Sequence, residues 1–245
     1  MSVVTSLRRF ASRVLREAAL YPALARGRGA GRRIAFLPSD GPVQSSMLRA
    51  YNIAKDLEKR GWATIVLPVQ LTLAQRRRVL GAFRPDVVVV QQCRHHLNRP
   101  EYLADWTTVL DIDDADFLDP ALTSVLERMA RQAEGVICGS RYIRNWALPF
   151  NRHATVIWTT MPISPLVGGG AAPEEEPVVT WAQSSPLGYP NELEFVREVM
   201  AEVARRRGGV RLRLYGWQGD RDHPVLADLE AKGVMVDLLP FMPYD

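Results

Sequence analysis

A chain of 245 residues that is 47% hydrophobic and 24% charged has the composition of a globular protein with one large or two smaller cores, which excludes a mainly disordered chain. No apolar run approaches the roughly 18 residues a membrane-spanning helix needs, and no apolar stretch with a small-residue cleavage site follows Met1, so a helical membrane protein and ordinary export are disfavoured and the cytoplasm is the expected compartment. The formal net charge of +4 is unevenly placed: up to Arg33 eight arginines face Glu17 alone, leaving +7, while the other 23 basic and 26 acidic residues leave −3, so nucleic acid is not an expected partner of the body.

Residues 1–31 read as a basic N-terminal helix and linker. Leu7, Phe10, Val14, Ala18 and Tyr21 recur at helical spacing beside arginines, which suits a helix lying peripherally on the inner, anionic face of a membrane; a helix packed on its own domain and followed by a flexible GRGAGRR linker fits equally, and an RNA-binding arm fits least. From 32 to 161 strands and helices alternate. The strands are RIAFLP, ATIVLP, DVVVVQ, TTVLDI, GVICGS and HATVIW. Between them lie helix SSMLRAYNIAKDLEKRGW, capped by Ser45 or Ser46 and stopped by Gly61, then LTLAQRRRVLGAF, a short helix near PEYLADW, ALTSVLERMARQA and SRYIRNWALPF. Such alternation predicts a parallel, doubly wound sheet whose ligands gather at the carboxyl ends of its strands.

Residues 162–177, PISPLVGGGAAPEEEP, have the composition of an interdomain linker. A second β-α series covers 178–245: strand VVTWAQ, helix NELEFVREVMAEVARRR, strand VRLRLYG, helix HPVLADLEAKG and strand VMVDLLP. The fold class expected is therefore α/β with two Rossmann-like domains, the second incomplete, either cut short or completed by a partner chain. Cys93 and Cys138 form no CxxC pair and read as free thiols, Cys138 within the core. No metal and no cofactor is expected from this residue pattern.

Taken in order, RIAFLPSDGPVQSSMLRAYNIAKDLEKRGW, RPDVVVVQ, VLDIDDADF, AEGVICGSRYIRNW, a linker and VVTWAQSSPLGYPNELEFVREVMAEVARRRGGVRLRLYG resemble the GT-B glycosyltransferases, and among them the bacterial retaining, family 4-like group. The resemblance implies a nucleotide-diphosphate sugar donor, a cell-surface glycan or lipid-linked acceptor, and catalysis by electrostatic support of the departing diphosphate. It also implies, beyond the strand pairs of the second domain, an E-x7-E segment that grips the donor; Asp245 ends the sequence before that region, so the chain is expected to hold only part of the active enzyme.

The candidate site residues follow from strand ends and helix starts. In SDGPVQSS, free backbone N–H groups at a helix start favour an anion, with Ser45 and Ser46 standing where the resembled family commonly has a glycine pair, and Arg49 one turn on is able to neutralise a phosphate or carboxylate. Arg94 and His95 follow the third strand and are candidates for substrate contact; His96 beside them supports no metal site. Ser184 and Ser185 occupy the first strand-to-helix turn of the second domain, where a Gly-Ser pair near the donor is usual in the family, and Tyr215-Gly216 ends the next strand in a tight turn.

The run VLDIDDADFLDP, with Asp111, Asp113, Asp114, Asp116 and Asp119, admits several readings. Asp111-Ile112-Asp113 matches the letters of a metal-binding DxD, or of the first motif of haloacid dehalogenase-like phosphatases. The resembled glycosyltransferases carry D-x-D-D at this strand, which would place Asp113 and Asp114 at the rim of the substrate site. Turn and cap formation, with Asp119-Pro120 starting the next helix, explains part of the run without any ligand. A noncatalytic Rossmann-like binding or assembly protein is the alternative from another class.

Overall fold

The computed structural model describes residues 12, 14–160 and 177–240, with the side chain of Gln44 left aside. Leu7, Phe10 and the expected linker up to Glu176 lie outside those residues. By its internal contacts the chain divides into two units, Met1–Ile163 and Ser164–Asp245.

Residues 14–18 are helical, and α1 (Tyr21–Gly27) follows immediately. This part of the leader packs on the first unit. Leu20, Ala23 and Leu24 touch its core, Glu17 accepts from Arg78 and Gln75, and a Cβ on Gly27 would meet the Phe83 ring at 2.8 Å. The segment expected to be a flexible linker therefore begins inside a packed helix.

Six parallel strands build the sheet of the first unit: β1 (Arg33–Leu37), β2 (Ala63–Val66), β3 (Val87–Gln91), β4 (Thr108–Ile112), β5 (Gly135–Cys138) and β6 (Ala154–Val156), in the spatial order β2-β1-β3-β4-β5-β6. Parallel strands sit inside α/β layers, which is why they read as short continuous apolar runs such as VVVV. One face forms the main core. Leu37, Val88, Val90, Leu110, Ile112 and Cys138 meet α3 (Leu73–Phe83), α5 (Pro120–Gln132) and α6 (Arg141–Ala147); in chain order α2 (Asn52–Lys59) comes before α3, and the short α4 (Pro100–Leu103) lies between α3 and α5. Each fully buried leucine or phenylalanine there contributes about 1.5–3 kcal/mol relative to exposure. The opposite face packs on α2 through Phe36, Ala50 and Ala54, and beside that helix lies an apolar groove of about 310 Å³ along Ile34, Val89, Ile137 and Trp158.

Local chemistry explains the helix boundaries. Thr72 caps α3 in a reciprocal box with Gln75, Asp119 accepts from the Ala121 N–H ahead of Pro120, and Ser140 caps α6 through the Ile143 N–H. Gly61 adopts φ +82° just past α2 and ends it as expected. One expectation fails: Ser45 and Ser46 do not cap the second helix. They lie in its opening turn, Gln44–Ser46, which runs into a π-helical turn, Met47–Tyr51, before α2. Neither hydroxyl bonds a helix N–H, because both are used toward the β1 and β3 loops.

The second unit is a three-stranded parallel sheet in the order β7-β8-β9, with β7 (Val178–Ala182), β8 (Val210–Tyr215) and β9 (Val234–Leu239), joined by α7 (Pro190–Arg207) and α8 (Pro224–Ala231). Its core gathers Leu193, Met200, Leu212, Leu214, Leu226 and Leu229. His223 accepts from the Val225 N–H as the α8 cap and packs edge-on to Trp217. No helix among the described residues is long and apolar enough to cross a membrane.

Candidate functional site

In the first sheet the strand order reverses between β1 and β3, so the loops after these two strands diverge and leave a crevice at their carboxyl ends. The structure holds a pocket of about 360 Å³ there. It is lined from the β1 side by Ser39, Asp40, Val43, Ser45 and Ser46, and from the β3 side by Arg94, His95 and His96. Residues 48 or more positions apart thus meet because the topology brings two strand ends together.

Side-chain bonds hold the β1 loop in place. Ser46 Oγ accepts from the Asp40 N–H at 3.2 Å and lies 3.4 Å from Ser39 Oγ. Gln91, buried at the end of β3, donates to Ser45 Oγ at 3.1 Å and accepts from the Ser39 N–H at 3.4 Å. Asn98 ties the same corner by donating to the carbonyls of Leu37, Pro38 and Gln91.

Arg49 is not a surface arginine. The π turn directs it under the sheet, where it is 7% exposed and grips both carboxylate oxygens of Asp111 through Nε, at 2.8 Å, and Nη2. Its Nη1 donates to the Ile157 carbonyl and to Thr159 Oγ1. Burial pushes the Asp111 carboxyl up and Arg49 pulls it down; with both oxygens satisfied by one guanidinium, the ionised pair is the form this geometry serves. Burial opposes the charge on Arg49, yet Asp111 raises the guanidinium above its ordinary range.

The remaining aspartates of the run separate into distinct roles. Asp116 is buried and receives Arg94 Nε at 2.8 Å and Nη2 at 2.5 Å, while Asp114 is exposed and takes Arg94 Nη2 at 2.7 Å. Against the cost of burial, these bonds raise the Arg94 guanidinium above its ordinary range. Asp113 receives Gln92 Nε2 at 2.7 Å and sits where a Cβ on Gly139 would meet its Cα at 2.8 Å. Burial, followed by the charge of Asp114, pushes the Asp113 carboxyl up to about 6. Gln92 is fully buried at φ +52°, a left-handed backbone that its N–H bond to the Asp111 carbonyl helps hold, and its Oε1 has no partner among the described residues.

His95 carries the other perturbed group. Its Nδ1 accepts from the Leu97 N–H at 3.1 Å and faces Nη2 of the buried Arg76 at 3.3 Å. Burial first, then Arg76 and His96, lowers the imidazole to about 4. Arg76 is lowered to about 10 by burial; it bonds Asn98 Oδ1, the Val69 carbonyl and His95 Nδ1, none of them a carboxylate. Sequence reasoning did not single out Arg76, Gln91, Gln92 or Asn98; Gln91 and Gln92, polar at the end of the VVVV run, carried a signal, whereas Arg76 in its RRR run and Asn98 in a polar loop carried none.

In the second unit Ser184 and Ser185 follow β7 in the loop leading to α7. Ser184 N and Oγ both donate to Gln183 Oε1, and its carbonyl accepts from Gln218. Gly216 adopts φ +80°, and a Cβ there would fall 1.9 Å from the Gln183 carbonyl oxygen, so the tight turn after β8 also sets the shape of the β7 loop. Cys93 and Cys138 are free and buried, with thiols pushed up to about 12 and about 11, mainly by burial. Among the described residues no group of three or more His, Cys, Asp and Glu side chains is placed to hold a metal ion.

No protein-family model matches the chain, and no curated protein matches it. Solved structures do. An alpha-glucosyltransferase in complex with UDP and a 13-mer DNA containing a HMU base is similar with a TM-score of 0.52 and 12% identity, over 85% of this chain and 67% of that one. The alpha-glucosyltransferase in complex with UDP-glucose and DNA containing an abasic site gives 0.50 and 12%, over 86% and 67%. TarM gives 0.45 and 15%, over 68% of this chain and 36% of that one. The chain thus spans about a third of the length of TarM and about two thirds of that of the alpha-glucosyltransferase. At these identities the likeness is one of fold: two Rossmann-like α/β units in one chain, the class of the GT-B glycosyltransferases.

Proposed function

We propose that the chain belongs to a glycosyltransferase that moves a sugar from a nucleotide-diphosphate sugar to a hydroxyl-bearing glycan or lipid-linked acceptor, and that it carries part of the machinery for that transfer. The observation that carries the proposal is the polar pocket at the β1/β3 switch point of a sheet whose fold is that of GT-B enzymes. The alpha-glucosyltransferase structures of this fold are complexes with UDP or UDP-glucose, which supports a nucleotide-sugar donor. In this reading the first-unit pocket, with Ser45, Ser46, Arg94 and His95, receives the acceptor. Asp113 and Asp114 stand at its rim, and the β7 loop with Ser184 and Ser185 contacts the donor.

Charge supports an uncharged acceptor over a nucleic acid. Asp40, Asp113, Asp114 and Asp116 crowd this end of the sheet, while Arg94 is already engaged by two of them and Arg49 by Asp111. Membership of the retaining, family 4-like group, cytoplasmic placement on a membrane surface through the basic leader, and completion of the second sheet by a partner are further parts of the same proposal. A haloacid dehalogenase-like reaction is less well supported, because a nucleophilic carboxylate needs a free oxygen and both oxygens of Asp111 are held by Arg49.

The test is a panel of nucleotide sugars with a mixed set of glycosides, read as nucleoside-diphosphate release and product mass. Acceptor-dependent release is the expected result. Failure of every donor to bind in calorimetry would remove the reading, and magnesium-dependent phosphate release from a simple phosphomonoester would replace it with the phosphatase.

A further inference from the structure

We infer that His95 is a fixed hydrogen-bond donor that reads an uncharged oxygen of the pocket's ligand, and that Arg76 is the positioning residue that makes it one. The inference rests on the reading above only for the identity of the ligand, a sugar hydroxyl or ring oxygen; the state of the ring follows from geometry.

Nδ1 of His95 meets two donors, the Leu97 N–H at 3.1 Å and Arg76 Nη2 at 3.3 Å, so in the neutral ring it must act as the acceptor and Nε2 carries the proton. The guanidinium that enforces this is itself 3% exposed and pinned by Asn98 Oδ1 at 2.9 Å and by the Val69 carbonyl at 3.5 Å. With no carboxylate among those partners to offset it, its charge repels a proton on the adjacent ring, and His96 and Arg99 add to that repulsion. The Val69 carbonyl favours the charged ring and is outweighed. On the pocket side the ring shares the lining with Asp40, His96 and Arg94, the last engaged by Asp114 and Asp116. A charged imidazole would suit a phosphate. A neutral N–H donor beside Asp40 suits an uncharged oxygen, which can accept from the ring and donate to a carboxylate.

A ring of this kind cannot serve as a general base, since one nitrogen is protonated and the other is occupied. This separates His95 from the usual catalytic histidine.

The experiment is long-range proton–nitrogen correlation spectroscopy of the histidine rings in the unliganded 15N-labelled chain between pH 4 and 8, with assignment by His95→Gln and His96→Gln. The expected result is a His95 ring with its proton on Nε2 that stays neutral from pH 8 down to about 5 and charges only as the pH approaches 4. A ring titrating near the ordinary value of about 6.5, or one protonated on Nδ1, would overturn the inference without touching the proposed reaction. In Arg76→Gln the amide can still donate to Nδ1 but the charge is gone, so the His95 midpoint should rise by on the order of one unit or more; Arg76→Lys should restore the low midpoint. An unmoved midpoint in Arg76→Gln would remove Arg76 from the role, and if that variant does not fold the wild-type spectra decide alone. Added methyl α-glucoside should shift the His95 Nε2 resonance without charging the ring. Inorganic pyrophosphate charging the ring instead would refute the ligand class. If the ring behaves as stated while nucleotide sugars never turn over, the donor stands and the reaction proposal falls.

Discussion

The turns after β1 and β7 are each the first strand-to-helix turn of their unit, and they are built by opposite means. After β1 the loop is held by side chains: Ser46 and Gln91 satisfy its backbone, and Arg49 and Asp111 are tied beneath it across 62 positions of sequence. After β7 the loop is shaped by backbone approach, with the Gln183 carbonyl filling the space that the absent side chain of Gly216 leaves. The first turn should therefore respond to changes of charge and pH, and the second to the addition of a single carbon.

The largest effect is expected from Arg49→Met, which leaves the Asp111 carboxylate buried without its cation. Loss of one partner of such a pair costs about 3–5 kcal/mol, whereas Arg49→Met with Asp111→Leu should recover most of it. Urea denaturation of the two variants measures both, and equal stability of single and double variants would contradict the pairing. In the second unit, Gly216→Ala forces a Cβ onto a carbonyl at positive φ and should cost about 1–3 kcal/mol, with spectral changes centred on Gln183 and Ser184. A silent Gly216→Ala would show that this turn too is held by side chains.

A smaller, pH-dependent effect is expected at Asp113. Its folded carboxyl titrates at about 6, above the ordinary 3.8, so the folded state binds the extra proton: the contribution is present below pH 3.8 and lost as pH rises through 6. Asp113→Asn should accordingly stabilise by about 1–2 kcal/mol at pH 8 and by nothing at pH 3, read from melting curves at the two pH values. His95 works in the other direction: its folded value of about 4 lies below 6.5, so the stability it contributes is present above 6.5 and lost as pH falls toward 4. The smallest effect, about 1 kcal/mol, is expected from Asp119→Ala, which removes the α5 cap and no site contact.

All nine described strands were legible in the sequence: the strands of the first unit are short apolar runs such as VVVV, as parallel strands inside a layered fold are, and β8, VRLRLY, shows itself by alternation, with buried and half-buried residues taking turns. The Asp119-Pro120 helix start and the Gly61 stop were legible for the same local reason. What escaped the sequence was every feature that depends on a distant partner. Arg49 reads as a residue able to neutralise a phosphate or carboxylate, but its carboxylate lies 62 residues on and local spacing does not name it; Arg76 stood in an RRR run that suggests solvent, and Ser45 and Ser46 looked like caps because the π turn that displaces them has no periodic signature. The leader was ambiguous between a membrane and its own domain, and only the placement of Leu20, Leu24 and Gly27 against the core shows where its described part rests.

The π turn at Met47–Tyr51 also has a consequence for phase. Its closing bond, from the Asn52 N–H to the Met47 carbonyl, spans five residues where an α-helix spans four, so the helix carries one residue more than its rise requires. An extra residue in regular α-helix would rotate one end against the other by about 100°; the π turn takes up the surplus residue locally instead. Ser45 and Ser46 on one side and Ala54 on the other therefore keep the faces that an uninterrupted helix one residue shorter would give them. Deleting one residue of the turn should restore ordinary winding with little change in either face, whereas deleting one residue of α2 beyond it should put the two parts out of phase.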